Sequence, residues 1–598
     1  MQIKLYSKPD KDIPPKKMVC LNRGIPPKEI NDFLSKTMAH IYSFNYFDDL
    51  MFEGAKLLIN AIINNKKVFV LVDCDPDGWT SSALMINYLY ELFPVWTQNY
   101  LTWGLHEGKQ HGLKDYIDKL EQEKYSLVII PDAGSNDLDE IERLHKVETD
   151  VLILDHHIIE KERSPYAITI NSQDEWYPNK ALSGVGVVYK FCQYLDYFLV
   201  TNKLREKGVS EKFKDLVAVG LMADMMNIRS LETKELIFDG FKEENIKNPL
   251  IAGLTDKNIF ALHKPDYMPS PDNDLYITPM GAAFFIIPLI NAMSRSGTME
   301  EKELVFNSLL TMKAFEIIPS NKRGHKPGET ERVVDQALRC TTNVKNRQTR
   351  FEEKGMEILC IQAEQKINDK VLVFIVGDEI APTIGGLVAN KLASKYQRPV
   401  AVVREIADGT YAGSMRGYTA TGIESFKDIA MKSEYCAWCM GHENAAGICL
   451  TDPDKFIEDM NVLLKDVSTE ITYYVDYMYD ANSVDGNTVI ALAELNDYLG
   501  TGFARPQIYV YDFKLEDFLV MKSNTLKFHL PCGIDIIKFA ATEEEIDFLN
   551  ESKGKIMNIV CKCNINEWCG ERNPQLMCLD YEIKEPATPK GWNSSWDF

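Results

Sequence analysis

The chain has 598 residues, 45% of them hydrophobic and 26% charged, and its 66 basic against 88 acidic residues leave a formal charge of −22. That length holds several cores, roughly three to five domains, and the composition is that of a soluble globular protein rather than a disordered or fibrous one. The acidic surplus excludes a uniformly basic nucleic-acid-binding face, but not a narrow basic path, and carboxylates that bind metals are counted here as uncompensated charge.

No apolar run approaches membrane-spanning length, and the opening MQIKLYSKPDKD lacks the apolar stretch of a signal peptide. Thirteen cysteines, an odd number scattered along the chain, read as reduced thiols, so a cytoplasmic setting is expected.

In chain order, four segments share one design, an apolar run ending abruptly in acidic or histidine residues. They are VFVLVDCDPDG (68–78), LVIIPDAGSND (127–137), VLILDHH (151–157) and DLVAVGLMAD (215–224). The first three are short, continuously hydrophobic and separated by helical patterns, which predicts buried parallel strands. The fourth fits a strand or a helix. From about 315 to 354 the sequence is rich in Lys and Arg, without strand signal, and reads as a long connecting helix after a turn. A second α/β unit follows, with KVLVFIVGDE (370–379), a helix after Pro382, RPVAVV (398–403), GSMRGY and GHENAAG. Beyond about 470, the short strands YVYDF, LKFHL, DIIKFA and MNIVCKCNI suggest a small β-barrel. There is no internal repeat.

An α/β sheet places its site at the carboxyl ends of its strands, so the four polar clusters can converge on one cleft. In DCDPDG, Asp73, Asp75 and Asp77 alternate, Gly78 permits a tight turn, and Thr80 is placed to cap the following helix. Residues two apart share a face of an extended chain, so Asp75 and Asp77 reach one region. Asp132 ends the second run, Asp155-His156-His157 the third, and Asp224 closes the fourth. Carboxylates with imidazoles, and no thiolate, suit Mn²⁺ or Mg²⁺ better than structural zinc. Two such ions roughly 3.5–4 Å apart make a nuclease centre. A single Asp-rich turn is more often a helix cap; four clusters at successive run ends outweigh coincidence.

These residues resemble the DHH phosphoesterase superfamily and, within it, the RecJ-type single-stranded-DNA exonucleases. LDHH is the signature motif, DCDPDG resembles DxDxDG, PDAG resembles DCG and GLMAD resembles GTVAD. LNRGIPPKEINDFL (21–34) is similar to the amino-terminal segment of that branch, and INSQDEWYPNKALSGVGVVYKF (170–191) to the stretch after the signature. INAMSRSG (290–297) resembles the NAAGR helix, GHENAAGI (441–448) the GGHxxAAG of the DHH-associated domain, and NINEWCGERNPQLMCLDYEI (564–583) the end of the RecJ OB-fold.

The resemblance implies an α/β fold divided into an N-terminal segment plus DHH catalytic domain with a parallel sheet (1–314), a connecting helix (315–354), an α/β DHH-associated substrate-binding domain (355–468) and a C-terminal OB-fold β-barrel with a short tail (469–598). It implies a two-metal hydrolase using Mn²⁺ or Mg²⁺ that degrades single-stranded DNA from the 5′ end to 5′-mononucleotides. Carried over by position, Asp75, Asp77, Asp132, His156 and Asp224 would hold metal, with Asp132 as the bridge. His157 would join them in catalysis, and Asp73 would stand behind the ligands or touch substrate. Arg295, Ser414 and Arg416 would line a 5′-phosphate pocket, an arginine fork suiting a terminal dianion. A helicase or single-strand-binding protein would be the partner delivering substrate.

Departures from the family pattern fall around that pocket. Ala133 stands in place of Cys, Leu289 in place of Arg and Met440 in place of the first glycine of GGH; in WGLHEGKQHGL (103–113) an arginine is absent, with His106 near its place and expected to touch substrate there. Cys436-x-x-Cys439 with His442 has zinc-like spacing but lacks a second ligand pair, so His442 is assigned to backbone or DNA contact. Cys561, Cys563, Cys569 and Cys578 read as small core residues. Trp568, Phe528 and Tyr509 are the candidates for base stacking on the barrel. Lys322, Arg323, Lys326, Arg347 and Arg350 form a candidate backbone-tracking face, and GWNSSWDF reads as a tail. Two alternatives share the signature: a phosphodiesterase for short oligonucleotides or cyclic dinucleotides, and a non-catalytic replication or repair scaffold. The barrel favours a long polymer over the first, and the intact carboxylates oppose the second.

Overall fold

Val68–Val72 (β1) and Leu127–Pro131 (β3) are buried at every residue, as continuous apolar runs must be when both faces of a sheet are covered. With Leu101–Leu105 (β2), Asp150–Asp155 (β4) and Ala167–Asn171 (β5) they form a five-stranded, all-parallel sheet in the order 2-1-3-4-5. The computed structural model describes residues 1–585 except 36–37, 109, 161, 175, 265–266, 271–273, 407, 419–421, 469 and 569–570, and without the side chains of Asp48 and Trp568. The tail GWNSSWDF, Cys569 and the Trp568 side chain therefore lie outside the described residues.

Two units make up the chain. One comprises Asn31–Thr469 with Gly500–Phe503, and the other Met1–Ile30 with Glu470–Leu499 and Ala504–Phe598. In the larger unit, helix α1 (Pro76–Leu92) leaves β1 with Asp75 as its N-cap and proline at its first position, a pairing that satisfies the free N–H groups of a first turn. Thr80 is not the cap; its buried hydroxyl donates within the turn to the Pro76 and Asp77 carbonyls. Helix α2 (Gly184–Thr201) follows the sheet. The run 215–224 is helical: α3 spans Lys214–Ala223, with Asp224 just past its last turn. Leu216 through Leu221 are all buried, and a helix covered all round shows the same unbroken apolar run as a buried strand.

After helix α4 (Ile287–Ser296), the expected turn is a two-stranded antiparallel ladder of Ile317–Pro319 with Thr330–Arg332. The connecting helix α5 then runs over Val333–Gln365, about 50 Å at 1.5 Å per residue. Val333, Ala337, Thr341, Val344, Gln348, Glu352, Gly355, Leu359 and Ala363 make its buried stripe, spaced three and four apart as a helix face requires. Lys322, Arg323 and Lys326 thus lie outside the helix, and Arg347 is committed to Glu301 and the Ser296 carbonyl.

The second sheet of this unit holds Leu372–Ile375 (β6), Val400–Glu405 (β7), Tyr411–Arg416 (β8), Cys436–His442 (β9) and Ala445–Leu450 (β10) in the order 9-10-8-7-6. Only β6 and β7 run parallel. Helix α6 (Gly385–Tyr396) packs Val388, Ala389 and Leu392 against Val400 and Val402. Cys436 and Cys439 sit in the core on the opposite face, and among the described residues no metal-ligating group forms around them.

In the smaller unit, seven strands form one sheet: Tyr477–Asp480 (β11), Gln507–Lys514 (β12), Phe518–Met521 (β13), Thr525–His529 (β14), Asp535–Lys538 (β15), Ile556–Trp568 (β16) and Glu571–Lys584 (β17), in the order 11-12-16-17-15-14-13. Phe528 and Tyr509 are buried, so these two candidate stacking residues fill the core instead. The N-terminal residues join this unit: Gln2–Leu5 pairs parallel with Thr472–Val475, and Arg23 makes a two-pronged bond to Asp476 at 2.9 Å per prong, both side chains being shielded from water. Asp476→Ala would leave the Arg23 charge buried without its counterion. We expect a loss of about 3–5 kcal/mol in this unit's stability, read from urea or thermal midpoints, whereas a change under about 1 kcal/mol would deny the pair that role.

Candidate metal centre

In a 2-1-3-4-5 sheet the strand order reverses between β1 and β3, and the crevice beyond their carboxyl ends is where such sheets bind ligands. DCDPDG follows β1, and Asp132 follows β3 directly. Asp132 is held with φ of +66°, a left-handed conformation that Asp tolerates better than most side chains; its N–H donates to the Leu154 carbonyl of the neighbouring strand at 2.8 Å. This geometry brings Asp73, Asp75 and Asp132 within one ligand-sized group, and Asp77, His156 and Asp224 within a second, the atoms of each lying within 4.8 Å of one another. His156 joins the two groups, its Nε2 standing 3.2 Å from Asp132 Oδ1 and 3.3 Å from Asp224 Oδ2.

Each side chain is positioned by its local chain. Asp75 Oδ1 accepts from the N–H groups of Asp77 and Gly78 at 2.9 and 3.0 Å. Asp77 Oδ1 accepts from Ser183 Oγ and the Val185 N–H at the start of α2. Two glycines let helices close on the site. A Cβ at Gly184 would strike the Asp132 carboxylate, and one at Gly220 would strike Thr80 Oγ1 and come within 2.5 Å of Asp77 Oδ1. Asp155 has another role: its Oδ1 accepts from the His156 and His157 N–H groups and His157 Nδ1, and its Oδ2 from the Ser135 N–H. It shapes the DHH turn from behind.

Burial and like charge set the electrostatics. Burial, then the charge of Asp75, pushes Asp77 up to about 7. Asp132 and Asp224 are raised well above the carboxylate range by burial first and then by the surrounding aspartates. Asp155 lies well below that range, because the bond and charge of His157 outweigh its burial. His156 is pushed down to about 4 by burial and by the neighbouring His157, which keeps it neutral with a lone pair for a metal. Burial opposes the charge of His157, yet the hydrogen bond and charge of Asp155 raise it to about 9.

The residues expected at a phosphate pocket lie near one another. Ser414 and Arg416 lie on β8 against the N-terminus of α6, where a Cβ at Gly386 would meet Arg416 Nη2 at 2.7 Å and Ser414 Oγ at 3.5 Å. Burial, then the charge of Arg295, lowers the pKa of Arg416; two cations drawn together beside a helix N-terminus suit an anion. Arg295 is exposed, with its Nε on Asn291 Oδ1. His442 is exposed on β9, close enough for its charge to bear on His156.

His106 is placed differently from the expectation that it touches substrate. Its side chain is wholly buried, edge-on to Tyr116, with neither ring nitrogen hydrogen-bonded. The imidazole at the site is His111, five residues on. Its Nδ1 lies 2.6 Å from Asp73 Oδ2, its ring centre 6.4 Å from that of His157, and its side chain is 55% exposed. His111 escaped the sequence reading because no apolar run ends at it; the signal was its place beside glycine in the same stretch.

Comparison with known proteins bears on this geometry. Residues 67–221 match the DHH family, N-terminal domain, and residues 475–580 the RecJ OB domain. The chain is 32% identical over 598 residues to a Bacillus subtilis (strain 168) protein named as the SPbeta prophage-derived single-strand DNA-specific exonuclease YorK, covering 98% of both chains. The chain belongs to the RecJ-type single-strand DNA-specific exonuclease family. It is 24% identical to the single-stranded-DNA-specific exonuclease RecJ of the same bacterium, covering 92% of this chain and 66% of that protein. Crystal structures of Thermus thermophilus RecJ in complex with Mn²⁺ and with Mg²⁺ share the fold at TM-scores of 0.70 and 0.63; the first covers 98% of this chain and 80% of its own, at 17% identity.

The residues here fit such ions. Asp77 Oδ2, Asp132 Oδ1 and Asp224 Oδ2 are buried without a hydrogen-bond partner, and oxygen donors with a neutral imidazole are the set that Mn²⁺ and Mg²⁺ take. Because a ligand must be deprotonated to bind metal, protons retained by the raised carboxyls must leave when the ion enters. Titration calorimetry with Mn²⁺, in buffers of differing ionisation enthalpy, should show more protons released per ion near pH 6 than near pH 8, with affinity rising in between. Proton-free binding of constant affinity across that range would mean that the carboxyls are already ionised.

Proposed function

We propose that this protein hydrolyses single-stranded DNA from its 5′ end and releases 5′-mononucleotides in a reaction dependent on Mn²⁺ or Mg²⁺. The observation that carries this reading is the convergence of Asp75, Asp77, Asp132, His156 and Asp224 at the sheet's switch point, with three carboxylate oxygens left unpartnered, in a chain of the RecJ-type family. Those five residues would hold two ions, with Asp132 between the two groups. Divalent ions bound there supply activation of water and stabilisation of charge on the phosphate.

The chain's own residues do the rest. Ser414, Arg416 and the first N–H groups of α6 would anchor the terminal phosphate, with Arg295 opposite. His157, kept protonated through Asp155, would direct its Nε2–H at a phosphate oxygen of the scissile group. Water adds to phosphorus, the bond to the 3′ oxygen breaks, and that oxygen leaves with a proton as the hydroxyl of the departing nucleotide. His442 would face the strand from β9. The OB domain would bind single-stranded DNA without using Phe528 and Tyr509, which are buried. A helicase or single-strand-binding protein would present such a strand.

The test is degradation of single-stranded DNA labelled at either end, in Mn²⁺, Mg²⁺ or EDTA, beside a duplex and a dinucleotide. Loss of the 5′ label as mononucleotide, dependent on metal and sparing the duplex, is expected. Cleavage of the dinucleotide alone would give the protein to the short-substrate enzymes, and no cleavage with either metal would leave the scaffold reading. Asp132→Asn and His156→Ala should each lower turnover at least about a hundredfold with unchanged circular dichroism; retained turnover in a folded, metal-supplied variant would remove that residue from the mechanism. Arg416→Ala should lower the preference for 5′-phosphorylated over 5′-hydroxyl ends by roughly tenfold to a hundredfold, the range of a hydrogen bond to a charged group. An unchanged ratio would place the pocket elsewhere.

A further inference from the structure

Next to the phosphate pocket, the second sheet carries a strip that the proposed reaction leaves unused. Cross-strand register aligns Ser414 on β8 with Gly447 on β10 and Met440 on β9, and Arg416 with Ala445 and His442. Residues two apart on a strand share a face, so the two phosphate-pocket residues, the two small residues, and Met440 with His442 all lie on one side. Helix α6 covers that side only over β6, β7 and β8. The rows on β10 and β9 stay open: Met440 is 65% exposed and Trp438 36% exposed.

Gly447 decides where the indole goes. A Cβ there would meet Trp438 Cζ3 at 3.2 Å and Cη2 at 3.7 Å, so the six-membered ring of the indole lies against the glycine, toward the row that ends at Ser414. Met440 stands on the same edge strand, where the family pattern has glycine. Two adjacent strand spacings put this edge about 10 Å from Ser414. An exposed indole and thioether beside a paired-cation site make up the two parts that single-stranded nucleic acid needs, a charge anchor for phosphate and a π-face or soft apolar surface for a base.

We propose that Trp438 and Met440 form a shelf on which the bases next to the 5′-terminal phosphate stack while Ser414 and Arg416 hold that phosphate. The inference rests on the exonuclease reading and deepens it: the occupants are the first bases of the substrate strand. Recognition through a π-face is tolerant of base identity, as an enzyme that degrades any sequence requires. Trp438 acts by binding and takes no part in bond breaking.

The experiment compares full-length wild type, Trp438→Ala, Trp438→Phe and Arg416→Ala on 5′-phosphorylated oligothymidylate, intact or with abasic sugars at the first positions. On intact strands Trp438→Ala should raise KM about tenfold, within the range for one base–aromatic stack, with kcat moving less than about twofold. Wild type should show a similar KM difference between intact and abasic strands; Trp438→Ala should lose it, and Trp438→Phe should keep most of it. Arg416→Ala should retain it while losing the end-phosphate preference. A Trp438→Ala enzyme that still discriminates against abasic ends as wild type does, or binds intact strands with unchanged KM, would overturn the shelf. Were wild type to show no turnover with either metal, the exonuclease reading would fail alone. Anisotropy of the same labelled oligonucleotides in EDTA would then decide the shelf by the same intact-against-abasic comparison.

Discussion

Five aspartates, Asp73, Asp75, Asp77, Asp132 and Asp224, and His156 converge on one crevice at the carboxyl ends of β1 and β3, and the rest of the larger unit is arranged around that concentration of negative charge. Burying one unpaired carboxylate already opposes folding; burying an unpartnered carboxyl oxygen of each of Asp77, Asp132 and Asp224, with no Lys or Arg ion-paired to any of them among the described residues, gives the site a standing demand for cations. Protons meet it in part, as the raised pKa values of these three show. Divalent ions meet it fully, because each neutralises two carboxylates and uses the oxygen lone pairs that the protein leaves empty. The left-handed backbone of Asp132 and the glycine approaches at 184 and 220 are the conformational means by which like charges are held so close.

The same turn shows how environment divides chemically identical side chains. Asp155 is as buried as Asp132, but four donors satisfy it and hold it ionised, whereas Asp132 has an oxygen without a partner. The neighbouring imidazoles divide likewise: His156, largely buried and beside the charge of His157, stays neutral, and His157, resting on Asp155, is held protonated. A neutral imidazole and a charged one thus arise from two adjacent residues, through one carboxylate placed behind them. That division explains why a motif of three residues serves as a unit, and why replacing Asp155 would disturb both histidines at once.

What sequence revealed and what it hid follow from the range of the forces involved. The parallel strands were legible because burial on both faces leaves an unbroken apolar run, and the carboxylates that converge at the crevice because they end those runs. The helix at 214–223 shares that unbroken run, since burial on all sides erases helical periodicity as well. The short ladder before α5 carries only three residues per strand, too few for a pattern. His106 and His111 illustrate a different limit. They are five positions apart in one short stretch, and only tertiary contacts decide that His111 reaches Asp73 while His106 turns inward against Tyr116. Thr80 failed as a cap for a local reason: Asp75 already occupied the N-cap, with proline following it at the first helical position. Phe528 failed as a stacking residue because strand alternation turns it inward, and Tyr509 because Met1, Ile3 and Tyr473 cover its face of the sheet.

The net charge of −22 then takes on a definite meaning. Non-specific attraction to a polyanion grows with the number of cations available to replace its counterions, and much of this chain's basic complement is already engaged with its own carboxylates, as Arg347 is with Glu301, Arg339 with Glu331 and Arg143 with Glu121. On the proposed reading, attraction is local, at the metal-filled crevice and at Arg416 with Arg295, rather than spread over the surface. A protein held to its substrate by few charges needs a second source of affinity that does not depend on charge. Apolar contact with bases supplies it, and bases are open to such contact only in a single strand. On this argument the acidic surface and the exposed indole beside the phosphate pocket serve one end: the duplex, which offers phosphates but hides its bases, is offered little to bind.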